Sequence, residues 1–448
     1  MEDLRDKRVT VVGLGKSGLA AAELCLSRGA KVTLNDSKDS VTGLEPLLTR
    51  GAVSALGGHS GKGIEESDLV VLSPGVPPFP ELDAAQRRGA EIVSEVELAV
   101  RCLSHPAPIV AVGGTNGKST VTTLIGELLA EGGRSVFTGG NLGEPLSAHV
   151  DETFDFVVLE VSSFQMERVS RFCPRVSLLL NVTPDHLDRY PSFDAYADAK
   201  GNAFVAQGPA DLAVVPFGDE VCLAQARRGR GRIKTFGADP RADVLVTDAV
   251  VLERSLGAAY PRSDIRLAGG HNALNVAAAL AAVVDLGVSE GDVKRVLARF
   301  SGLEHRTALV AEVDGVRYYD DSKGTNVGAS VTAILGLTEP KAVVLLGGKD
   351  KGGSYAPLVA ALREKARAAV VFGEAAPLIA GAIGDAVPFE VATDMADAVR
   401  RGRSLAKPGD AVLLSPACSS FDMFKDYKER GDVFAACVRN LEGKGGSS

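Results

Sequence analysis

The chain is 448 residues long, 45 % hydrophobic and 24 % charged, with a formal net charge of −8. That length allows roughly two to four domains, and the acidic balance argues against a general nucleic-acid or anionic-membrane binder. The six cysteines lack CxxC spacing, which argues against a disulfide framework or zinc site and fits a reducing cytoplasm.

The start, "MEDLRDKRVT", is charged and lacks the apolar core of a signal peptide. "RVTVVGLG" then reads as a strand ending in a glycine turn, "SGLAAAELCLSRG" as a helix closed by Gly29, and "KVTLND" as the next strand. "DLVVLSPGVPP" is a strand stopped by prolines. This is βαβ grammar and predicts a parallel sheet with helices on its faces. The grammar restarts at "PIVAVGGTNGKST" and again near "KAVVLLGG". Three α/β domains are therefore expected, each a mostly parallel sheet with helices, with boundaries placing them at 1–97, 98–303 and 304–448. The apolar stretch "VAAALAAVV" from 276 is far short of the roughly 20 residues that span a bilayer. The run "RRGRGRIK", 227–234, reads as a solvated loop, because no aromatic residues interleave to stack bases. The tail "GKGGSS" is expected to be disordered.

Gly13, Gly15 and Gly18 form GxGxxG between a strand and a helix, and Asp36 ends the second strand. That layout allows close backbone approach to a diphosphate at a helix N-terminus. Taken alone it leaves NAD or FAD, another diphosphate ligand, and structural glycines all open. Ser73, in "SPG" after an apolar strand, is equally compatible with a ligand contact and with a proline turn.

"GGTNGKST" lies between the strand "PIVAV" and a helix-like run. Strand, glycine loop, GKST and helix is the context of a phosphate loop, although Val112 stands where the strict GxxxxGK[ST] pattern has glycine. Backbone N–H groups and the helix dipole would face the anion, Lys118 adds a point charge, and Ser119 or Thr120 offers Mg²⁺ a hydroxyl. Glu160 ends the strand "FDFVVLE", where a carboxylate suits Mg²⁺. His186 follows another apolar strand in "NVTPDHLDRY", and Lys200 lies in "YADAKGNAF".

"GGTNGKST", "EVSSFQ", "NVTPDHLDRY", the lysine of "YADAK" and "GGHNALNV" occur here in an order that resembles the Mur ligases, ATP-dependent amino-acid-adding enzymes of peptidoglycan synthesis. The resemblance covers essentially the whole chain. It implies a Rossmann-like N-terminal domain for the uridine diphosphate of the substrate, a P-loop-type central ATPase domain and a Rossmann-like C-terminal domain. Gly114, Thr115, Asn116, Gly117, Lys118, Ser119 and Thr120 would hold the ATP phosphates, with Asn272, Asn275, Arg306 and Asp321 also on the nucleotide. Ser119, Glu160, His186 and Lys200 would serve Mg²⁺, two ions in all, with Lys200 N-carboxylated. Lys118, Glu160, His186 and Lys200 would be the catalytic set. On the substrate side, Gly15, Lys16, Ser17, Asp36, Ser37 and Ser73 would cradle the UDP end, while Asn141 and Ser162 line the sugar peptide. NAD becomes a poor fit to the first domain.

In the third domain, the DSK-x-TN and SPAC-x-S-x-D motifs resemble those of the D-glutamate-adding Mur ligases. They imply that Lys351, Thr325 and Ser420 grip the D-glutamate carboxylates, with Lys323 and Tyr427 also on the substrates and Lys323 near the transferring phosphoryl, and that UDP-N-acetylmuramoyl-L-alanine is the partner substrate. A dianionic amino acid needs cations and donors, which these side chains supply. Gly113, where threonine is common, Gly324, where alanine is usual, and the absent "NADD" run depart from the family's pattern. A folylpolyglutamate synthetase-like enzyme would lack the UDP-type first domain. A cytoplasmic monomer is expected.

Overall fold

A computed structural model of the chain describes residues 2–59, 63–187, 189–267 and 269–442. The tail "GKGGSS" lies outside the described residues. The chain divides into two compact units, Met1–Val182 with Asp194–Ile265 and Leu274–Arg299, and Thr183–Phe193 with Arg266–Ala273 and Phe300–Ser448.

The first unit holds two sheets. β1 (Arg8–Val12), β2 (Lys31–Asp36), β3 (Val53–Leu56), β4 (Leu69–Leu72) and β5 (Glu91–Ser94) form the first, in the order β3-β2-β1-β4-β5. Every pair is parallel. Helix α1 (Lys16–Ser27) crosses from β1 to β2. It packs hard on the turn before it: a Cβ at Gly18 would collide with the Gly13 carbonyl, so glycine is required there. α2 (Glu95–Cys102) is capped by Ser94, whose hydroxyl accepts from the Glu97 N–H.

The second sheet comprises β6 (Ile109–Gly113), β7 (Val136–Gly140), β8 (Phe156–Glu160), β9 (Val176–Leu179), β10 (Leu212–Pro216), β11 (Arg232–Gly237), β12 (Val244–Val246), β13 (Val250–Glu253) and β14 (Ala258–Pro261). Its order is β14-β13-β12-β11-β10-β9-β6-β8-β7. Pairing is parallel as far as β12, and then β12, β13 and β14 run antiparallel. β6, β8 and β9 are buried apolar runs, as strands covered on both faces must be. One apolar cluster joins the two sheets, running from Leu4, Val9 and Val11 through Leu98 and Cys102 to Ile109, Val157 and Phe172. The run 227–234 is not a free loop. Its second half lies in β11, where Lys234 pairs with the fully buried Glu253 at 3.1 Å, and Arg228 donates to Asn202 at 2.7 Å.

The second unit carries β15 (Ala308–Val313), β16 (Val316–Asp320), β17 (Ala342–Gly347), β18 (Ala366–Phe372), β19 (Phe389–Val391) and β20 (Ala411–Ala417), in the order β15-β16-β20-β17-β18-β19. β15 pairs antiparallel and the others parallel. The apolar cluster on one face includes Ile334, Leu362 and Ile379, and that on the other includes Tyr318, Phe372 and Phe434.

Candidate functional site

The glycine turn after β1 is built by two side chains. Asp36 Oδ2 accepts from the Leu14 N–H at 2.7 Å and its Oδ1 from the Lys38 N–H at 3.0 Å. Burial pushes the Asp36 carboxyl up, but these donors outweigh it and the net pKa falls below the ordinary value. Ser73 donates to the Gly13 carbonyl at 2.6 Å, which helps hold the turn. Gly15, Lys16 and Ser37 are exposed, Ser17 is half-buried, and nothing stands within 4 Å of the place a Gly15 Cβ would take. The loop thus presents backbone to open space at the carboxyl edge of a parallel sheet, where such folds bind ligands.

The second loop continues β6. Val112 and Gly113 are strand residues, paired with Glu160 of β8 and Leu179 of β9. Gly117 then takes φ +86° and caps α3 (Lys118–Glu131). A side chain there would be strained, and its Cβ would meet Asn275 Oδ1. Helix α3 begins at Lys118, so the N–H groups of its first turn have no intrahelical partner. Ser119 and Thr120 are buried in that turn. Lys118 Nζ donates to the Thr115 carbonyl at 2.8 Å.

Lys200, on α4 (Phe193–Val205), is brought to this loop across 86 residues of sequence: its Nζ donates to the Gly114 carbonyl at 2.8 Å. The ammonium also sits 4.5 Å from the Tyr196 ring centroid, and the Tyr196 hydroxyl lies 3.1 Å from Thr115 Oγ1. Glu160 is buried, and its Oε1 accepts from Asn141 Nδ2 at 2.7 Å. A buried carboxylate in register beside a phosphate-type loop suits a divalent cation. Among the described residues, no group of three or more His, Cys, Asp or Glu side chains gathers in a metal-ligating arrangement. Ser162 caps a short helix: it accepts from the Gln165 N–H at 3.2 Å, and Gln165 Oε1 accepts from the Ser162 N–H at 2.9 Å. The spacing S-x-x-Q in "SSFQ" carries that capping-box signal.

His186 lies in the second unit, in the left-handed region at φ +56°. Its N–H donates to Asp185 Oδ1 at 3.0 Å. Asn272 stands in the first turn of α5 (Gly270–Val283). Asp321 is buried. Its Oδ2 accepts from Ser415 Oγ at 2.7 Å and its Oδ1 from the Thr307 N–H at 3.1 Å. Burial drives its pKa up to about 7, against the pull of Ser415 and Arg306.

Lys351 Nζ lies 3.5 Å from Thr325 Oγ1 and 3.9 Å from Asp185 Oδ1, on a cavity of about 290 Å³ lined also by Asn326, Val327, Val331 and Tyr355. Asn326, which caps α6 (Val327–Gly336), donates to Asp185 Oδ2 at 3.1 Å. Lys323 Nζ stands 3.9 Å from the centroid of Tyr427, the first residue of α7 (Tyr427–Glu442). Ser420 is buried on the neighbouring loop. Lys349 and Ser419 exchange backbone hydrogen bonds of 2.9 and 3.1 Å, which sets the Lys351 and Ser420 loops side by side.

Two residues beyond the sequence expectations build these loops. Asn181, at the end of β9, clips the phosphate-type loop by accepting from the Asn116 N–H at 2.9 Å. Arg430 is fully buried and bonds three loops at once: Ser322 O at 2.8 Å, Cys418 O at 3.2 Å and Gly347 O at 3.4 Å. Burial draws its pKa down to about 10. An arginine in "DYKERG" carries no local mark of burial, so only its partners reveal it.

Residues 7–94 match the MurD-like N-terminal domain of Mur ligases, 112–283 the Mur ligase middle domain, and 305–418 the Mur ligase glutamate ligase domain. The UDP-N-acetylmuramoylalanine–D-glutamate ligase of Geobacter metallireducens is 42 % identical over 451 residues, covering 98 % of this chain and 98 % of that protein. The enzyme of the same name from Anaeromyxobacter dehalogenans is 44 % identical, covering 96 % and 97 %. The fold is similar to MurF ligase from Thermotoga maritima in complex with ADP, at 18 % identity and TM-score 0.61, covering 98 % of this chain and 96 % of that one. The match at 7–94 is the first domain that a folylpolyglutamate synthetase-like reading would have lacked. With all three of its domains recognised and near-full-length relatives above 40 % identity, the chain belongs to the Mur ligase family.

Proposed function

We infer that this Mur ligase joins D-glutamate to UDP-N-acetylmuramoyl-L-alanine, with cleavage of ATP to ADP and phosphate. The observation that carries the reading is the near-full-length match to ligases of that name. The chemistry follows from the poor electrophilicity of a carboxylate. Transfer of the γ-phosphoryl to the alanine carboxylate makes an acyl phosphate. The amine of D-glutamate attacks its carbonyl, and phosphate leaves from the tetrahedral intermediate.

The residue roles belong to the same proposal. Gly114 to Thr120 hold the ATP phosphates, and Lys118, lifted from the Thr115 carbonyl, neutralises charge on the transferring phosphoryl. Asn272, Asn275, Arg306 and Asp321 contact the nucleotide. Ser119, Glu160, His186 and Lys200 hold Mg²⁺, which when bound would offset phosphoryl charge. Buried Glu160 beside the loop supports that fit. Lys351, Thr325, Lys323, Ser420 and Tyr427 receive D-glutamate, whose carboxylates suit the lysines. Gly15, Lys16, Ser17, Asp36, Ser37 and Ser73 serve the UDP end, with Asn141 and Ser162 on the sugar peptide. The functional segments are 1–97, 98–303 and 304–448, in a cytoplasmic monomer. No helix among the described residues is long and apolar enough to cross a membrane.

N-carboxylation of Lys200 would exchange its ammonium for an anion that suits cations, while leaving one N–H on Nζ. In a Lys200→Ala variant, short carboxylates should then restore part of the activity, and failure of every carboxylate tried would count against that role. The function itself is tested by phosphate release with UDP-N-acetylmuramoyl-L-alanine and each amino acid in turn. Strict dependence on D-glutamate is expected, and equal turnover with other amino acids would overturn the assignment.

A further inference from the structure

Lys16 is the first residue of α1 and follows Gly15, whose missing side chain leaves open space at the helix N-terminus. In the structure its ammonium faces a carboxylate rather than that space. Nζ donates to Glu144 Oε1 at 2.6 Å and to the Gly143 carbonyl at 3.0 Å. Lys16 and Glu144 are separated by 128 residues, and both side chains are more than half exposed, 60 % and 56 %. An anion arriving at the glycine loop therefore meets a lysine already paired.

The partner is held in place by its own loop. Gly140, the last residue of β7, donates its N–H to the Glu144 carbonyl at 2.8 Å, closing the segment 140–144 on itself. Asn141 in the same segment donates its N–H to the Glu160 carbonyl at 2.9 Å and its side-chain amide to Glu160 Oε1 at 2.7 Å. Glu144 is thus presented to Lys16 by a short, doubly anchored turn, not by a loose surface chain.

We propose that Glu144 is a built-in counter-ion that occupies Lys16 until a nucleoside diphosphate displaces it, and that it thereby sets the affinity of the first domain for its nucleotide sugar. This rests on the reading of that domain as the UDP site. A diphosphate offers Lys16 more negative charge and more acceptor oxygens than one carboxylate, so the exchange favours the ligand, but it must first break the Lys16–Glu144 pair. The size of the penalty follows from exposure. A solvent-exposed ion pair contributes little, and its loss on binding weakens the ligand by a small factor, about threefold. Because both partners face solvent, salt screens the effect over a Debye length of about 10 Å at 0.1 M.

The experiment is calorimetric titration of UDP into the full chain and into Glu144→Gln, Lys16→Met and the double variant, at low and at high salt. Glu144→Gln should bind UDP about threefold more tightly than the parent at low salt, with the gain shrinking at high salt. In the Lys16→Met background the same change should do nothing, because no ammonium remains to be released. A Glu144→Gln variant that binds UDP no better than the parent overturns the proposal. So does a gain that persists without Lys16, which would be through-space repulsion and not a displaced pair. If the unaltered chain itself fails to bind UDP, the reading of the first domain falls, and the counter-ion with it. Glutamine keeps the shape of Glu144, and circular dichroism of each variant confirms that a changed affinity is not a folding defect.

Discussion

Asn181 and Asn116 are bonded in both directions: Asn181 Oδ1 accepts from the Asn116 N–H at 2.9 Å, and its Nδ2 donates to the Asn116 carbonyl at 3.1 Å. The asparagine at the end of one strand thereby fixes the shape of a loop 65 residues earlier. Replacing it by alanine leaves two loop amide groups to find water. Asn181→Ala should raise the KM for ATP by about tenfold, on the scale of one lost buried hydrogen-bonding partner. The thermal midpoint should move little, since the strands around it keep their ladders. Steady-state kinetics with ATP varied checks this, and an unchanged KM would remove Asn181 from the loop's support.

Lys118 is a different case, because in the proposed reaction its charge matters most as the phosphoryl transfers. Lys118→Ala should lower kcat by about 10²–10³, the cost of one transition-state donor. Near-normal turnover with purified substrates would show the catalytic assignment to be wrong.

Arg430 joins the Ser322, Gly347 and Cys418 carbonyls from the interior of the third sheet's edge. Each buried acceptor left unsatisfied costs about 1–3 kcal/mol. Arg430→Met should therefore shift the urea midpoint clearly downward. Arg430→Lys keeps the charge but reaches fewer carbonyls, so it should recover part of the stability. It should still raise the KM for D-glutamate more than that for ATP, because Lys323, Lys351 and Ser420 ride on the three loops it ties. Equal effects on both KM values would leave Arg430 a general stabiliser.

Asp321 should give the second unit a pH dependence whose sign follows from its burial. Its folded pKa is raised to about 7 by burial, whereas the ordinary value is 3.8. Below the ordinary value both states are protonated and the contribution to stability is fully present. As pH rises toward 7 the unfolded chain ionises first, so that stability is lost, at most about 1.4 kcal/mol per pH unit. Asp321→Asn should flatten this slope. Urea unfolding near pH 5 and near pH 8 measures it, and parallel curves for both proteins would refute the shifted carboxyl.

Much of this protein was legible in the chain itself. Short apolar runs ending in glycine determine parallel strands with ligand edges, because such runs can be buried on both faces and glycine permits the turn. The order of "GGTNGKST", "EVSSFQ", "NVTPDH" and "GGHNALN" was enough to place it in its family. β6 runs on through Val112 and Gly113, which pair with Glu160 and Leu179, so the loop starts one residue later than the glycines of "GGTNGKST" suggest. The antiparallel β12–β14 lobe went unread, since those strands are short and only partly buried. Likewise, the run 227–234 is largely exposed, as its composition suggests, but the pairing of Lys234 with buried Glu253 at its end left no local mark. Asn181 beneath the loop, Arg430 among three carbonyls, Lys200 on Gly114 and Glu144 on Lys16 were decided only by the tertiary structure. Each is a polar pairing across tens of residues, and a side chain's partner at that distance is set by how strands and loops are brought together, which local pattern does not encode.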